Sequence, residues 1–175
     1  AAYQEADEFV GIVMDNFVKN DVALLVMSDH GFHPFRQAVN LNTWLWRNGY
    51  LKFKGEVSPE APERKLLDLY RHNELWAGVD WQNTYAYSMG LGNIYLNLQG
   101  REPEGVVRPG EMADYVLSKL KTGLLALRNP QNDEAVIRNI YLGREIYTGP
   151  RAAESADIVV GFQPGYRISW QTALG

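Results

Sequence analysis

Residues 22 to 31 read VALLVMSDHG, and this stretch decides the fold that the sequence predicts. Its first part, Val22 to Met27, is continuously apolar, a pattern typical of a parallel strand that is covered on both faces. The segment before it places Phe9, Val13 and Phe17 at the spacing of an amphipathic helix. Because a helix that leads into a buried strand is the repeating unit of α/β proteins, we predict an α/β fold with a mostly parallel sheet flanked by helices.

The rest of the chain has weaker but readable patterns. A short helix is predicted over 41–47, with Asn40 or Asn42 as its cap and Asn48-Gly49 as its end. A second clear helix is predicted over 111–127. Strands are predicted at 50–53, 84–88, 93–98, 135–141 and 157–162, a surface loop at 54–64 and a helix at 66–75.

The pattern becomes irregular after residue 53, which suggests a division of the chain. We expect residues 1–53 to belong to an α/β metal-binding core and residues 54–130 to form an inserted α+β subdomain. Residues 131–175 would then return to the core.

Composition excludes several classes of protein. The 175 residues carry a formal net charge of −4 and no cluster of Lys and Arg, so a nonspecific nucleic-acid coat is not expected. The chain has no cysteine, which excludes disulfides and thiolate metal sites. The longest apolar run, Val22 to Met27, is far too short to span a membrane, so we predict no membrane segment.

The strongest chemical signal is the adjacent pair Asp29-His30. In a doubly wound sheet, ligands bind just beyond the carboxyl ends of the strands, where this pair is expected to lie. A carboxylate and an imidazole are both zinc ligands, and Gly31 lets the chain turn away without crowding them. The alternative is structural: Asp29 would cap the following turn and His30 would hydrogen-bond nearby.

The surrounding sequence favours the metal interpretation. The motif SDHGF at 28–32, followed by VNLNTWL at 39–45 and NGYL at 48–51, resembles the type I phosphodiesterase and nucleotide pyrophosphatase family of the alkaline phosphatase superfamily. The blocks DWQNTYAY at 80–87 and NIYLNLQGREP at 93–103 look like further segments of one branch. The resemblance covers about residues 3 to 107 well and is looser beyond them.

This resemblance implies an alkaline phosphatase-like fold and hydrolysis of phosphate diesters or nucleotide-like pyrophosphates. In the family, two divalent ions of the zinc type lie over the sheet, and a Thr or Ser hydroxyl attacks phosphorus. Carried over, Asp29 and His30 would be ligands of the ion that activates this nucleophile. The partner would be a small phosphoester or nucleotide-like substrate.

The departures from the family pattern limit what the chain is expected to do alone. The nucleophile and the first Asp ligand are expected upstream of residue 1, and the Asp-x-x-Gly-His block of the second metal is absent. No candidate for the last His ligand follows His72. We therefore expect a piece of a larger catalytic domain, with no catalytic residue of its own and no activity alone.

Other residues with reactive or binding side chains are interpreted as structural or surface residues. His33 and His72 are interpreted as solvated surface histidines. Arg101 and Glu102 could contact a phosphate, but an intramolecular ion pair that fixes a turn is favoured. Trp76 and three further tryptophans could stack a nucleobase, although aromatic residues at such spacings are more often core.

Two alternatives to the diesterase remain open. One is another enzyme of the superfamily, such as a phosphomonoesterase, a sulfatase-like enzyme or a phosphotransferase, because fold does not fix reaction. The identity of the upstream nucleophile would separate these. The other is a noncatalytic binding domain that kept the fold and lost the metals, which the retained Asp29-His30 pair argues against.

Overall fold

A computed structural model describes residues 1–19, 21–55 and 75–170. The chain divides into two compact units, Ala1–His33 and Pro34–Gly175. In the described part of the chain, no helix combines the length and the apolar character that crossing a membrane requires.

The first unit begins with the predicted amphipathic helix, α1 (Ala2–Phe17), which is confirmed. The predicted strand over 22–27 is wrong, because these residues form no ladder with any described strand. A strand exists only through hydrogen bonds to a neighbouring strand, and residues 1–33 contain no other described strand. The apolar side chains of this segment are exposed, with Leu25 and Met27 each at 78%.

The second unit contains two sheets. Four strands form an antiparallel sheet in the order β2-β3-β5-β4. The other sheet pairs β1 with β6 in parallel. The strands are β1 (Gln37–Val39), β2 (Ala86–Met89), β3 (Asn93–Leu96), β4 (Ile137–Leu142), β5 (Ile158–Phe162) and β6 (Tyr166–Ile168).

The helices of this unit lie between the strands in the chain. They are α2 (Leu41–Arg47), α3 (Leu75–Gly78), α4 (Glu111–Leu125) and α5 (Gly143–Ile146), with short 3-10 helices at Trp81–Asn83 and Ala152–Glu154. Asn40 caps α2 as predicted, since its side chain accepts a hydrogen bond from the Thr43 backbone nitrogen at 3.0 Å. Helix α4 buries Val116, Leu120 and Leu124 of the apolar face that its periodicity predicted, whereas Tyr115 of the same face is 63% exposed.

One apolar core joins the helices to the antiparallel sheet. Its fully buried members include Leu41 and Leu45 from α2, Ile94 and Leu96 from β3, Leu120 and Leu124 from α4, and Ile158 from β5. Burying a side chain of this size contributes about 1.5 to 3 kcal/mol, so this shared core is the main stabilising term of the second unit.

A mixed α/β architecture is therefore confirmed, but not a mostly parallel sheet. Among the described residues the larger sheet is antiparallel and the parallel pairing is confined to β1 and β6. The predicted strand at 50–53 is reduced to one bridge between Phe53 and Val79. The predicted helix at 66–75 and most of the predicted loop at 54–64 lie outside the described residues, as does His72.

The outer edge of β2 is held by a buried side chain instead of a strand. Asn42 is fully buried, and its Oδ1 accepts a hydrogen bond from the Ser88 backbone nitrogen at 2.8 Å. Its Nδ2 donates to the Ser88 carbonyl at 2.9 Å. The amide thus makes the two hydrogen bonds that a neighbouring strand would make, and it fixes α2 against the sheet.

Candidate functional site

Asp29 and His30 present their side chains together in the first unit. Asp29 Oδ1 accepts a hydrogen bond from the His30 backbone nitrogen at 3.0 Å. The other carboxylate oxygen, Oδ2, lies 3.6 Å from His30 Nε2. The two side chains are 88% and 68% exposed, respectively, so solvent ions reach both. A carboxylate oxygen and an imidazole nitrogen are therefore accessible side by side.

The His30 ring is oriented by its neighbours. Nδ1 lies 3.0 Å from the Gly31 carbonyl oxygen, and the ring packs edge-on against Phe32 with centroids 5.8 Å apart. A carbonyl oxygen can only accept, so this contact requires Nδ1 to carry a proton; in the neutral imidazole the lone pair is then on Nε2. A backbone carbonyl bonded to the second ring nitrogen is the usual support of a metal-binding histidine.

The separation of these donor atoms fits one metal ion. Two ligands at ordinary zinc distances and a tetrahedral angle lie about 3.3 Å apart. The observed 3.6 Å between Asp29 Oδ2 and His30 Nε2 is close to that value. Within the described ranges, no third His, Cys, Asp or Glu completes a cluster around them. The pair can therefore supply two of the three or four ligands that zinc needs.

Arg101 and Glu102 form the ion pair that the sequence predicted. Arg101 Nε lies 2.8 Å from Glu102 Oε1, and its terminal nitrogens reach Asp157, the closest contact being 2.7 Å. Burial opposes the charge on Arg101, but the hydrogen bond and charge of Asp157 outweigh it and raise the Arg101 pKa. Asp157 also accepts from the Leu96 backbone nitrogen at 2.7 Å. All three guanidinium nitrogens thus make hydrogen bonds within the chain.

Tyr87 belongs to an aromatic cluster beside this ion pair. Its ring stacks on Tyr95 with centroids 5.5 Å apart and meets Trp81 edge-on at 5.2 Å. Its hydroxyl donates to Glu102 Oε1 at 3.2 Å. Burial raises the pKa of Tyr87 well above its ordinary 10.0, and the negative charge of Glu102 raises it further. The proton of this hydroxyl is therefore held firmly in the folded state.

Replacing Tyr87 by phenylalanine should lower the free energy of unfolding by about 1 kcal/mol near neutral pH, because one hydrogen bond is lost. Since the Tyr87 pKa is raised in the folded state, its contribution is complete below pH 10.0 and disappears as the pH rises through the folded-state value. The difference between the two proteins should therefore shrink above about pH 10 in urea unfolding. Tyr85→Phe, at an exposed position, is the control, and a pH-independent difference for Tyr87→Phe would contradict the assignment.

Sequence reasoning missed two polar groups that the structure places in unusual surroundings. The Arg167 guanidinium lies 3.8 Å over the Phe35 ring and 5.1 Å from that of Trp170, and its Nε is buried without a hydrogen-bond partner among the described residues. Asn97 is fully buried, and its Oδ1 likewise has no partner in the described part of the chain. No local pattern marks either residue, because both environments arise from distant segments.

Comparison with known protein families matches residues 1–172 to the type I phosphodiesterase/nucleotide pyrophosphatase family. The chain belongs to this family. No curated protein and no solved structure matches it. Family membership indicates a phosphodiesterase or pyrophosphatase as the general functional class. The matched region includes Asp29 and His30.

Proposed function

We propose that the complete protein hydrolyses phosphate diesters or nucleotide-like pyrophosphates with two divalent metal ions, both zinc, and that Asp29 and His30 hold one of them. One observation carries the proposal: Asp29 Oδ2 and His30 Nε2 lie 3.6 Å apart with the imidazole proton directed to the Gly31 carbonyl. Family membership supports the reaction class.

The chemistry of the reaction explains why such a pair is useful. A bound divalent ion supplies an activated hydroxyl nucleophile and neutralises charge that develops at phosphorus. Asp29 contributes a negative charge that attracts the ion, while its bond to the His30 backbone nitrogen fixes the carboxylate. His30 contributes a neutral nitrogen whose orientation depends on the Gly31 carbonyl. The nucleophile itself is proposed to lie outside this chain.

The proposed fold of the complete domain is alkaline phosphatase-like. The support is the family match over residues 1–172, which includes the exposed apolar run 22–27. In this proposal residues 1–53 and 131–175 belong to the core and residues 54–130 to the insertion. The segments 54–130 and 131–175 both contribute strands to the antiparallel sheet, because β3 of the first pairs with β5 of the second.

The test compares substrates on the complete gene product. A chromogenic phosphodiester should be turned over faster than the matching phosphomonoester and aryl sulfate, and a chelator should abolish the reaction until zinc is returned. A preference for the monoester or the sulfate would instead support the activity of another branch of the superfamily. The absence of turnover on all three, with zinc present, would favour a noncatalytic binding domain.

The 175-residue chain alone should bind zinc weakly, because the described residues offer two adjacent ligands where firm sites use three or four. Calorimetric titration should give a dissociation constant weaker than about 1 µM. Asp29→Asn should weaken this residual binding further, whereas the same change at the exposed Asp133 should not. Submicromolar binding that depends on Asp29 would contradict the prediction and would require further ligands.

A further inference from the structure

A cavity of about 370 Å³ lies in the second unit, next to the aromatic cluster around Tyr87. Trp76 and Trp81 stack on each other with centroids 5.9 Å apart, and both meet the Tyr87 ring edge-on. These three rings line the cavity together with Met89. The walls are therefore aromatic and polarisable, and the space is large enough for a small organic molecule.

Asn97 lines the same cavity and has one unsatisfied group. Its Nδ2 lies within hydrogen-bond distance of three backbone carbonyls, those of Trp81 at 2.8 Å, Thr84 at 3.0 Å and Glu104 at 3.1 Å. Carbonyl oxygens only accept, so the amide cannot be turned around. Its Oδ1 is left buried, with no partner among the described residues. Asn97 therefore fixes the cavity wall through its Nδ2 hydrogen bonds, while its Oδ1 presents no accessible surface to a ligand.

The charged residues that line the cavity favour a ligand with a positive charge. Two carboxylates, Glu102 and Glu104, line the cavity, and no Lys or Arg is among its described lining residues. Glu102 is already occupied, because it accepts from the Tyr87 hydroxyl, from Arg101 and from the Leu98 backbone nitrogen. Glu104 is exposed and carries the remaining negative charge. Negative charge beside tryptophan faces attracts cations and repels phosphate groups.

We propose that this cavity binds a small organic ammonium ion with an apolar body. The charge is attracted by Glu104, and the apolar body packs against Trp76, Trp81 and Tyr87. This site takes a ligand of opposite charge to a phosphoester, so it is independent of the proposed metal pair and of the proposed reaction.

The test uses benzylammonium as the probe and tryptophan fluorescence of the 175-residue chain as the readout, with calorimetry as a second measurement. Benzylammonium should bind saturably. Neutral benzyl alcohol should bind about tenfold more weakly because it lacks the charge. Benzyltrimethylammonium keeps the charge and the apolar body, so it should bind within about threefold of benzylammonium.

Matched variants separate the site from nonspecific attraction. Glu104→Gln should weaken benzylammonium binding about threefold or more, because it removes the charge at the cavity without changing its shape. Glu134→Gln removes an equally exposed carboxylate elsewhere and should change nothing. Circular dichroism of both variants verifies that they fold. Failure of benzylammonium to saturate, equal affinity for benzyl alcohol, or equal effects of the two variants would each overturn the proposal.

Discussion

Replacing Asp29 by alanine should reduce turnover of a chromogenic phosphodiester by the complete gene product about a hundredfold or more. The change removes the carboxylate whose Oδ2 lies 3.6 Å from His30 Nε2, and with it the negative charge and one of the two donor atoms proposed to hold the ion. Losing this interaction should weaken the binding of the ion that is proposed to activate the hydroxyl nucleophile. Initial rates at saturating substrate, measured with excess zinc, provide the comparison.

His33→Ala is the matched control in the same loop. His33 is proposed to make no metal contact, so its replacement should change the rate less than about tenfold. Circular dichroism and thermal unfolding should show both variants folded, because the Asp29 side chain is 88% exposed and supports no core contact. Small and equal effects of the two substitutions would remove the metal assignment and most of the support for the proposed reaction.

Replacing Asn42 by alanine should lower the free energy of unfolding of the chain by about 2 to 5 kcal/mol. Asn42 is fully buried, and its amide satisfies both the nitrogen and the oxygen of the Ser88 backbone. Alanine leaves these two groups of β2 buried without a partner, each at a cost of about 1 to 3 kcal/mol. Urea unfolding followed by tryptophan fluorescence measures the difference.

Asn48→Ala provides the comparison for Asn42. Asn48 is exposed at the end of α2, where its side chain donates to the Trp44 carbonyl at 2.8 Å. Water replaces that hydrogen bond, so the substitution should cost less than about 1 kcal/mol. If Asn42→Ala cost no more than Asn48→Ala, the role of Asn42 as a substitute for a neighbouring strand would be wrong.

Local signals in the sequence predicted the helices α1, α2 and α4 and the two strands β2 and β3. Asn40 caps α2 through a contact three residues away, and the periodicity of 111–127 depends only on that segment. The turn between β2 and β3 contains Gly90 and Gly92, both with positive φ. Glycine adopts positive φ without steric cost, so the two glycines indicate a turn from the sequence alone. Information within a few residues of the element was sufficient in each case.

Features that depend on distant partners were not predictable in this way. The apolar run 22–27 has strand composition, but ladder formation depends on neighbouring strands that composition does not reveal. Asn97 alternates with Asn93 and Tyr95 in a pattern that places it on a polar face, yet it is fully buried. It is buried because β3 ends at Leu96 and the following turn folds over it, with the Val106 and Val107 nitrogens both donating to its carbonyl.

The candidate metal pair was identified from its motif, and the structure added its geometry. Adjacent Asp29 and His30 predicted neighbouring donors, whereas the direction of the imidazole depends on the Gly31 carbonyl and on the edge of Phe32. The further ligands that the proposed ion would need cannot be predicted from the motif, because catalytic metal sites gather ligands from separate strands and loops.

The most direct test of the central claim is the position of zinc in crystals of the complete gene product, located by anomalous scattering at the zinc edge. The account predicts an ion within about 2.0 to 2.2 Å of both Asp29 Oδ2 and His30 Nε2, with the His30 Nδ1 proton still directed to the Gly31 carbonyl. Zinc bound in an active site without either side chain, and with Asp29 and His30 facing solvent, would contradict it.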